Sequence, residues 1–261
     1  MRKIKNFIYI VINTWILKPF GLKLSFSIGD DPVDVMKRLL GDYQVRYIVD
    51  GGAYRGDFSL QMAETFPDAT IYAFEPQKTS YALLSGNTGK MPRIQRYNCA
   101  ISSCSGKSIL HTNSSPLTSS LSKTSEDGLR YFPGHLKPEG TEEVEMTSLS
   151  DFLSSHNVPA VDILKLDLQG HELEAIKGTA EFISTVKLIF AEVQFIENYQ
   201  DTPLFSDIEI HLRSKGFAFY QFFGLVRSPI DGRLLYGDAI FVNRKYISQS
   251  KNAAKCSGAG I

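Results

Sequence analysis

The chain has 261 residues, 43% of them apolar and 21% charged, and its 28 basic and 28 acidic side chains cancel to a formal charge of zero. A single α/β core of this length buries roughly 70–75% of its unfolded surface, so no disulfide or metal staple is needed. This composition excludes wholesale disorder, collagen-like repeats and a polytopic membrane protein. The charge balance also disfavours a globally cationic nucleic-acid binder.

The charge is not evenly spread. The first 25 residues hold five basic side chains and no acid, and MRKIK leads into the apolar run NFIYIVINTWIL. No small-residue cleavage site follows, and Phe7–Leu17 is too short to span a bilayer. Ile4, Phe7, Ile8, Val11, Ile12 and Trp15 recur at helical spacing, which predicts a helix with one apolar stripe. That helix either packs on the domain or makes a peripheral membrane contact through residues 1–20. The expected location is cytoplasmic, with membrane association at the inner face. Cys99, Cys104 and Cys256 are odd in number and lack metal-ligand spacing, so free thiols are expected over a Cys99–Cys104 bridge. The five histidines are scattered, and no metal site is expected.

Further along, Pro32 opens a helix over Val33–Leu40, and Val45–Asp50 (VRYIVD) reads as a buried strand ending in glycines. A helix over Phe58–Phe66, a strand Thr70–Glu75, a helix Thr79–Leu84 and a strand within Ile94–Ile101 follow. That alternation is the pattern of a parallel sheet. Residues 102–125 contain ten serines, and 126–142 add glycine, proline and charge. They are expected to form an active-site loop inserted in the domain. Val144–Thr147, a helix near Ser150–Ser155, the strand Val161–Leu168, a helix from Glu172 and the strand Val186–Val193 resume the pattern. A helix Asp207–Ser214 and strands Phe217–Phe223 and Ala239–Asn243 complete it. The expected fold is a doubly wound, mostly parallel α/β sheet with helices on both faces and an antiparallel last strand. The expected domains are an N-terminal helical extension (1–40), the main domain (41–247, with the insertion at about 102–142) and a disordered tail (248–261).

The most informative stretch is VDGGAYRGDFSL, residues 49–60. A strand runs into Asp50, then Gly51, Gly52, Ala53 and Gly56, then a helix. Glycine there allows a tight turn and close approach of a ligand over the helix N-terminus. The spacing is Asp-x-Gly-x-x-x-Gly, not the Gly-x-Gly-x-x-Gly of a dinucleotide site. A carboxylate at this turn repels a pyrophosphate but suits the amino-acid end of S-adenosylmethionine. Glu75, one strand later in FEP with Pro76, is placed to accept both ribose hydroxyls. The plainer readings are a turn cap for Asp50 and an ordinary strand-end acid for Glu75.

Together with YAFEPQ, NCAISSCSGK, TSLSDFL, ILKLDLQGHELEAIKG and IFAEVQ, this stretch resembles the FkbM-type methyltransferases, a family of S-adenosylmethionine-dependent enzymes. The resemblance covers residues 47–194. It implies the class I methyltransferase fold (Rossmann-like), S-adenosyl-L-methionine as cofactor, and methyl transfer to a hydroxyl of a sugar, glycolipid or secondary metabolite. It implies a small-molecule or glycan acceptor, and the zero net charge gives no support for a nucleic-acid partner. Family members commonly carry Glu or Gln at the place of Gln169.

Methyl transfer needs the acceptor oxygen positioned and its proton removed. Chemistry of this kind belongs at the carboxyl ends of the strands, where Asp50, Glu75, Asn98 with Ala100, Asp167 and Glu192 fall. Asp167 is the candidate for acceptor binding or general base, with His171 and Glu192 as further catalytic candidates. His135 in the insertion reaches the site only if that segment closes over it. Ser119, Ser120 and Leu121 either line the pocket or are solvated loop. Lys165 is read as structural. The competing readings are a non-catalytic binding protein that keeps the fold and a nicotinamide-dependent oxidoreductase.

Overall fold

The computed structural model describes residues 31–246. The N-terminal stripe expected within residues 1–20, the tail after 248 and Cys256 lie outside the described residues. The chain divides into two compact units, 1–39 and 40–261. The helix α1 (Pro32–Leu40) is the described element of the first unit, with Asp31 Oδ1 accepting from the Val33 N–H at 2.8 Å.

In the second unit the chain order is β1 (Tyr47–Gly51), α2 (Asp57–Thr65), β2 (Thr70–Phe74), α3 (Lys78–Thr88), β3 (Ile94–Tyr97), β4 (Ala100–Ser102) and β5 (Gly106–Asn113). Then come α4 (Glu126–Tyr131), β6 (Pro138–Ser148), α5 (Leu149–Ser155), β7 (Ile163–Leu166), α6 (Glu172–Lys177), β8 (Leu188–Gln194), α7 (Phe205–Ser214), β9 (Phe217–Arg227) and β10 (Leu234–Asn243). Seven strands form one sheet in the order β3-β2-β1-β7-β8-β10-β9. From β3 through β8 all pairings are parallel, and β10 runs antiparallel to both β8 and β9. This is the expected doubly wound, mostly parallel α/β sheet.

The central strands read as unbroken apolar runs because helices cover both faces. Ile163–Leu166 and Leu188–Gln194 are buried at every position. Val49, Phe74, Leu164, Leu166 and Ile189 form the middle of the core, and α7 contributes Ile208 and Leu212, one helical turn apart. Strand order reverses between β1 and β7. Successive connections leave that point in opposite directions and open a crevice at the carboxyl ends of these strands.

One expectation is refined and one corrected. The strand expected within Ile94–Ile101 is present as β3 and stops at Tyr97, the residues after it pairing in another sheet. β3 closes the large sheet, while β4 joins β6 and β5 in a second, three-stranded sheet. Asn98 marks the break, its side-chain amide donating to the carbonyls of Glu75 and Pro76 at 2.9 Å each. The segment 102–142 is also not a loop throughout. Its two ends form the antiparallel β5–β6 ribbon, and the 3-10 turn Pro116–Thr118 and α4 lie between them. Most side chains of the ribbon face solvent on at least one side, so serine, threonine and glutamate replace the apolar alternation that would announce a strand. Cys99 and Cys104 are free thiols. Among the described residues no helix is long and apolar enough to cross a membrane.

Candidate active site

The turn after β1 is where two strand ends almost touch. Gly52 has φ +70°, and a Cβ there would lie 1.9 Å from the Asp167 carbonyl oxygen, so no side chain can be carried at this position. The Asp167 N–H donates to the Gly51 carbonyl at 3.1 Å, which continues the β1–β7 ladder into the turn. Ala53 is buried, and its N–H donates to the Phe74 carbonyl at 2.9 Å, tying the turn to the end of β2. Gly56 (φ +92°) begins α2, and its Cα lies so near Leu84 and Thr88 of α3 that a Cβ would approach both within 3 Å.

Beneath the turn lies a buried cation. The Lys165 ammonium stands 3.1 Å from Asp50 Oδ1 and donates to the carbonyls of Gly51 (3.1 Å) and Gly52 (2.7 Å). Burial alone would lower the lysine pKa, but the carboxylates of Asp50, Asp167 and Glu75 reverse this and raise it. Asp50 is fully buried and also accepts from the Ser59 hydroxyl at 2.6 Å. Asp50 therefore braces the turn from below and is not among the residues that line a cavity.

Above the turn, a cavity is lined by Gly52, Tyr54, Glu75, Pro76, Ala100 and Asp167, among others. The two Glu75 oxygens accept from the backbone N–H groups of Tyr54 and Gln77, at 2.9 Å each. Burial nevertheless pushes its carboxyl up to about 7. Ser119, Ser120 and Leu121 line the opposite wall, so the serine-rich segment does reach this cavity. The Ser119 hydroxyl is buried without a protein partner, whereas Ser120 donates to the Gln169 carbonyl at 2.7 Å. His171 also lines it, its Nε2 2.8 Å from Ser102 Oγ, and burial holds its pKa below the ordinary value.

A second, larger cavity shares Leu117, Asp167 and Gln169 with the first. Glu192, Tyr199, Tyr236, Asp238 and His135 complete much of its wall. Gln169, in the left-handed region at φ +54°, joins these groups. Its amide donates to Asp167 Oδ1 and Glu192 Oε2 at 2.8 Å each, and its carbonyl oxygen accepts from the Tyr199 hydroxyl at 2.7 Å. Burial raises Glu192 well above the carboxylate range, reinforced by Asp167, Glu172 and Asp238. Glu172 accepts from the Leu168 and Gly170 N–H groups, but burial still carries it up to about 7. Asp238 is pushed up to about 6 by burial and by Asp167.

Of the residues singled out by sequence, Gly52, Glu75, Pro76, Ala100, Asp167 and His171 meet in the first cavity, and Asp167 with Glu192 in the second. Gly51, Ala53 and Gly56 shape the turn without lining either cavity. Lys165, Tyr199 and Asp238 carry more of the site than their sequence context suggests. Lys165 interrupts a strand that is otherwise apolar, and Asp238 does the same in YGDAIF, which is the one local signal for each. Tyr199 lies in an irregular segment with no such signal. Among the described residues no group of three or more histidine, cysteine, aspartate or glutamate side chains is arranged to hold a metal ion.

S-adenosylmethionine fits these residues. Glu75 presents an anchored carboxyl with acceptor capacity left, Gly52 leaves the turn bare, and the orphaned Ser119 hydroxyl offers an unused hydrogen bond.

A profile of the "Methyltransferase FkbM domain" matches residues 50–219. The chain is 30% identical over 197 residues to the methyltransferase sdnD of Sordaria araneosa, covering 66% of this chain and 73% of that one. It is 25% identical over 159 residues to the 2-O-methyltransferase NoeI of Sinorhizobium fredii, covering 59% and 65%. Among solved structures, fibrillarin of Aeropyrum pernix with bound S-adenosyl-L-methionine aligns at 13% identity and a TM-score of 0.43, over 76% of this chain and 66% of that one. With its profile match running from the glycine turn at residue 50 into the start of β9 at residue 219, the chain belongs to the FkbM family of S-adenosylmethionine-dependent methyltransferases.

Proposed function

We propose that the protein methylates a hydroxyl on a sugar, glycolipid or secondary metabolite. The observation that carries this reading is the wall shared by the two cavities, where Asp167 and Gln169 face both. The first cavity suits the cofactor and the second the acceptor. When bound, S-adenosylmethionine supplies an electrophilic methyl group on a sulfonium that is already a good leaving group.

The chain's own residues then have separable tasks. Glu75, fixed by two backbone N–H groups, holds a vicinal diol. Asp167 orients the acceptor hydroxyl and takes its proton late, as suits a weakly acidic alcohol. Glu192, whose pKa burial and neighbouring negative charge raise, shares the Gln169 amide with Asp167 and helps hold it in place. The Gln169 amide, committed to both carboxyls, fixes their separation. His171 lines only the cofactor cavity and is engaged with Ser102, which favours Asp167 over it as base. The printed name of NoeI, a 2-O-methyltransferase, supports oxygen as the acceptor atom.

Calorimetric titration with S-adenosylmethionine is expected to give one-site binding that Glu75→Ala abolishes. Labelled methyl should enter a glycan or lipid extract, and Asp167→Asn should lose turnover while keeping most cofactor affinity. Absence of binding by the unmutated chain would end the reading. Binding without transfer to any extract would favour a non-catalytic role.

A further inference from the structure

The polar side of the second cavity is dominated by the carboxyls of Asp167, Glu192 and Asp238, with hydroxyls of Ser115, Thr118 and Tyr236 beside them. Asp238 stands directly opposite Glu192 in the β8–β10 register, so both side chains leave the same face of the sheet. Asp167 joins them from the end of β7. The amide of Gln169 is already spent on Asp167 and Glu192, and the Tyr199 hydroxyl is spent on Gln169. Asn198, only 5% exposed, lines the same cavity and leaves its side-chain oxygen without a donor. No lysine or arginine lines this cavity, and His135 is its one imidazole among the described residues.

An anionic group entering here meets Asp167 and Asp238 in a partly desolvated space, and the nearest fixed cation, Lys165, lies outside the cavity and is bound to Asp50 and two backbone carbonyls. A ligand with several O–H or N–H donors satisfies the same groups. On the apolar side, the rings of Phe132 and Tyr236 lie 5.8 Å apart and tilted by 58°, giving the face of a sugar ring a surface to rest on.

We propose that this cavity selects a donor-rich sugar ring that is uncharged or amino-bearing, and rejects one carrying a carboxylate or phosphate, with Asp238 and Asn198 as the specificity-determining residues. The proposal rests on the O-methyltransferase reading and adds to it the charge class of the acceptor. Asp238 supplies the repulsion that excludes an acid, and Asn198 supplies an acceptor that a ring hydroxyl or ammonium fills.

The test is saturation-transfer NMR on the full chain with S-adenosylhomocysteine present. Methyl glucoside, methyl glucosaminide and methyl glucuronide serve as probes. The first two are expected to bind, with the glucuronide at least tenfold weaker. Asp238→Asn should narrow that gap by at least threefold, and Asn198→Ala should weaken the glucoside. Cofactor affinity, measured on each variant, should stay at the parental value and so report an intact fold. Glucuronide binding as tight as glucoside, an unchanged gap in Asp238→Asn, or no binding of any probe would overturn the proposal. If the unmutated chain does not bind cofactor, the methyltransferase reading itself fails. If it binds cofactor and shows the wrong charge preference, only the acceptor proposal fails.

Discussion

The Lys165 ammonium is enclosed under the glycine turn, and its neighbours are a fully buried carboxylate and two backbone carbonyls. A pair of this kind contributes little net stability compared with apolar replacements, but removing one partner strands the other charge. Lys165→Met leaves Asp50 buried with only Ser59 to bond it. We expect a loss of about 3–5 kcal/mol in unfolding free energy, measured by urea denaturation. The double change Lys165→Met with Asp50→Leu should lose less than the single one. From the sequence, Asp50 reads as a cofactor ligand and Lys165 as structural, with no partner named for it. Their separation of 115 positions hides the pair until β1 and β7 are laid side by side. Gln169 is a comparable case. The sequence shows a glutamine where a carboxylate would also suit the family, and the structure shows why an amide has a task there. It donates to two carboxyls at once, which a third carboxylate could not do.

At the scale of elements, the close approach of α6 to β4 joins the two sheets. Gly178 ends α6, and a Cβ on it would fall 2.0 Å from the Ser102 carbonyl oxygen. Ser102 is also the partner of His171, the residue that precedes α6. Gly178→Ala therefore forces the helix away from β4 at both ends. Overpacking of this kind costs about 1–3 kcal/mol, to be read as a lowered Tm, with weakened cofactor binding as the accompanying effect on the first cavity. The helices and parallel strands of the core are legible in the sequence because burial on both faces writes them as apolar runs bounded by turns. The β5–β6 ribbon is not. Its residues are polar on most positions, so their pairing is visible only from register, Gly106 against Met146 through Asn113 against Pro138.

Across the whole molecule, burial raises the pKa of several carboxyls. Glu75 is raised to about 7 by desolvation, against an unfolded value near 4.5. For an acid shifted upward the unfolded state loses its proton first. Its contribution is therefore fully present below about pH 4.5 and is lost as pH rises through about 7. Glu172 acts in the same direction and over the same window. Glu75→Gln removes one such penalty. The stability of the variant relative to the parent should rise by about 2 kcal/mol between pH 5 and pH 8, measured by denaturant unfolding at both pH values. A difference independent of pH would show that Glu75 is ionised throughout.

The sequence by itself determined the parallel core, the glycine turn and the acid that follows one strand later. These are short-range features, in which apolar runs, a bare turn and a strand end sit within about thirty residues of one another. It also carried the resemblance that names the cofactor. Only the tertiary structure decided what stands beside what at the carboxyl ends of the strands. Tyr199, Asp238 and His135 reach the second cavity from three separate parts of the chain. Strand order and register, not local propensity, bring them to Asp167. Side chains that meet across a sheet are chosen by crossover connections and pairing, and these are settled by the burial of the whole core.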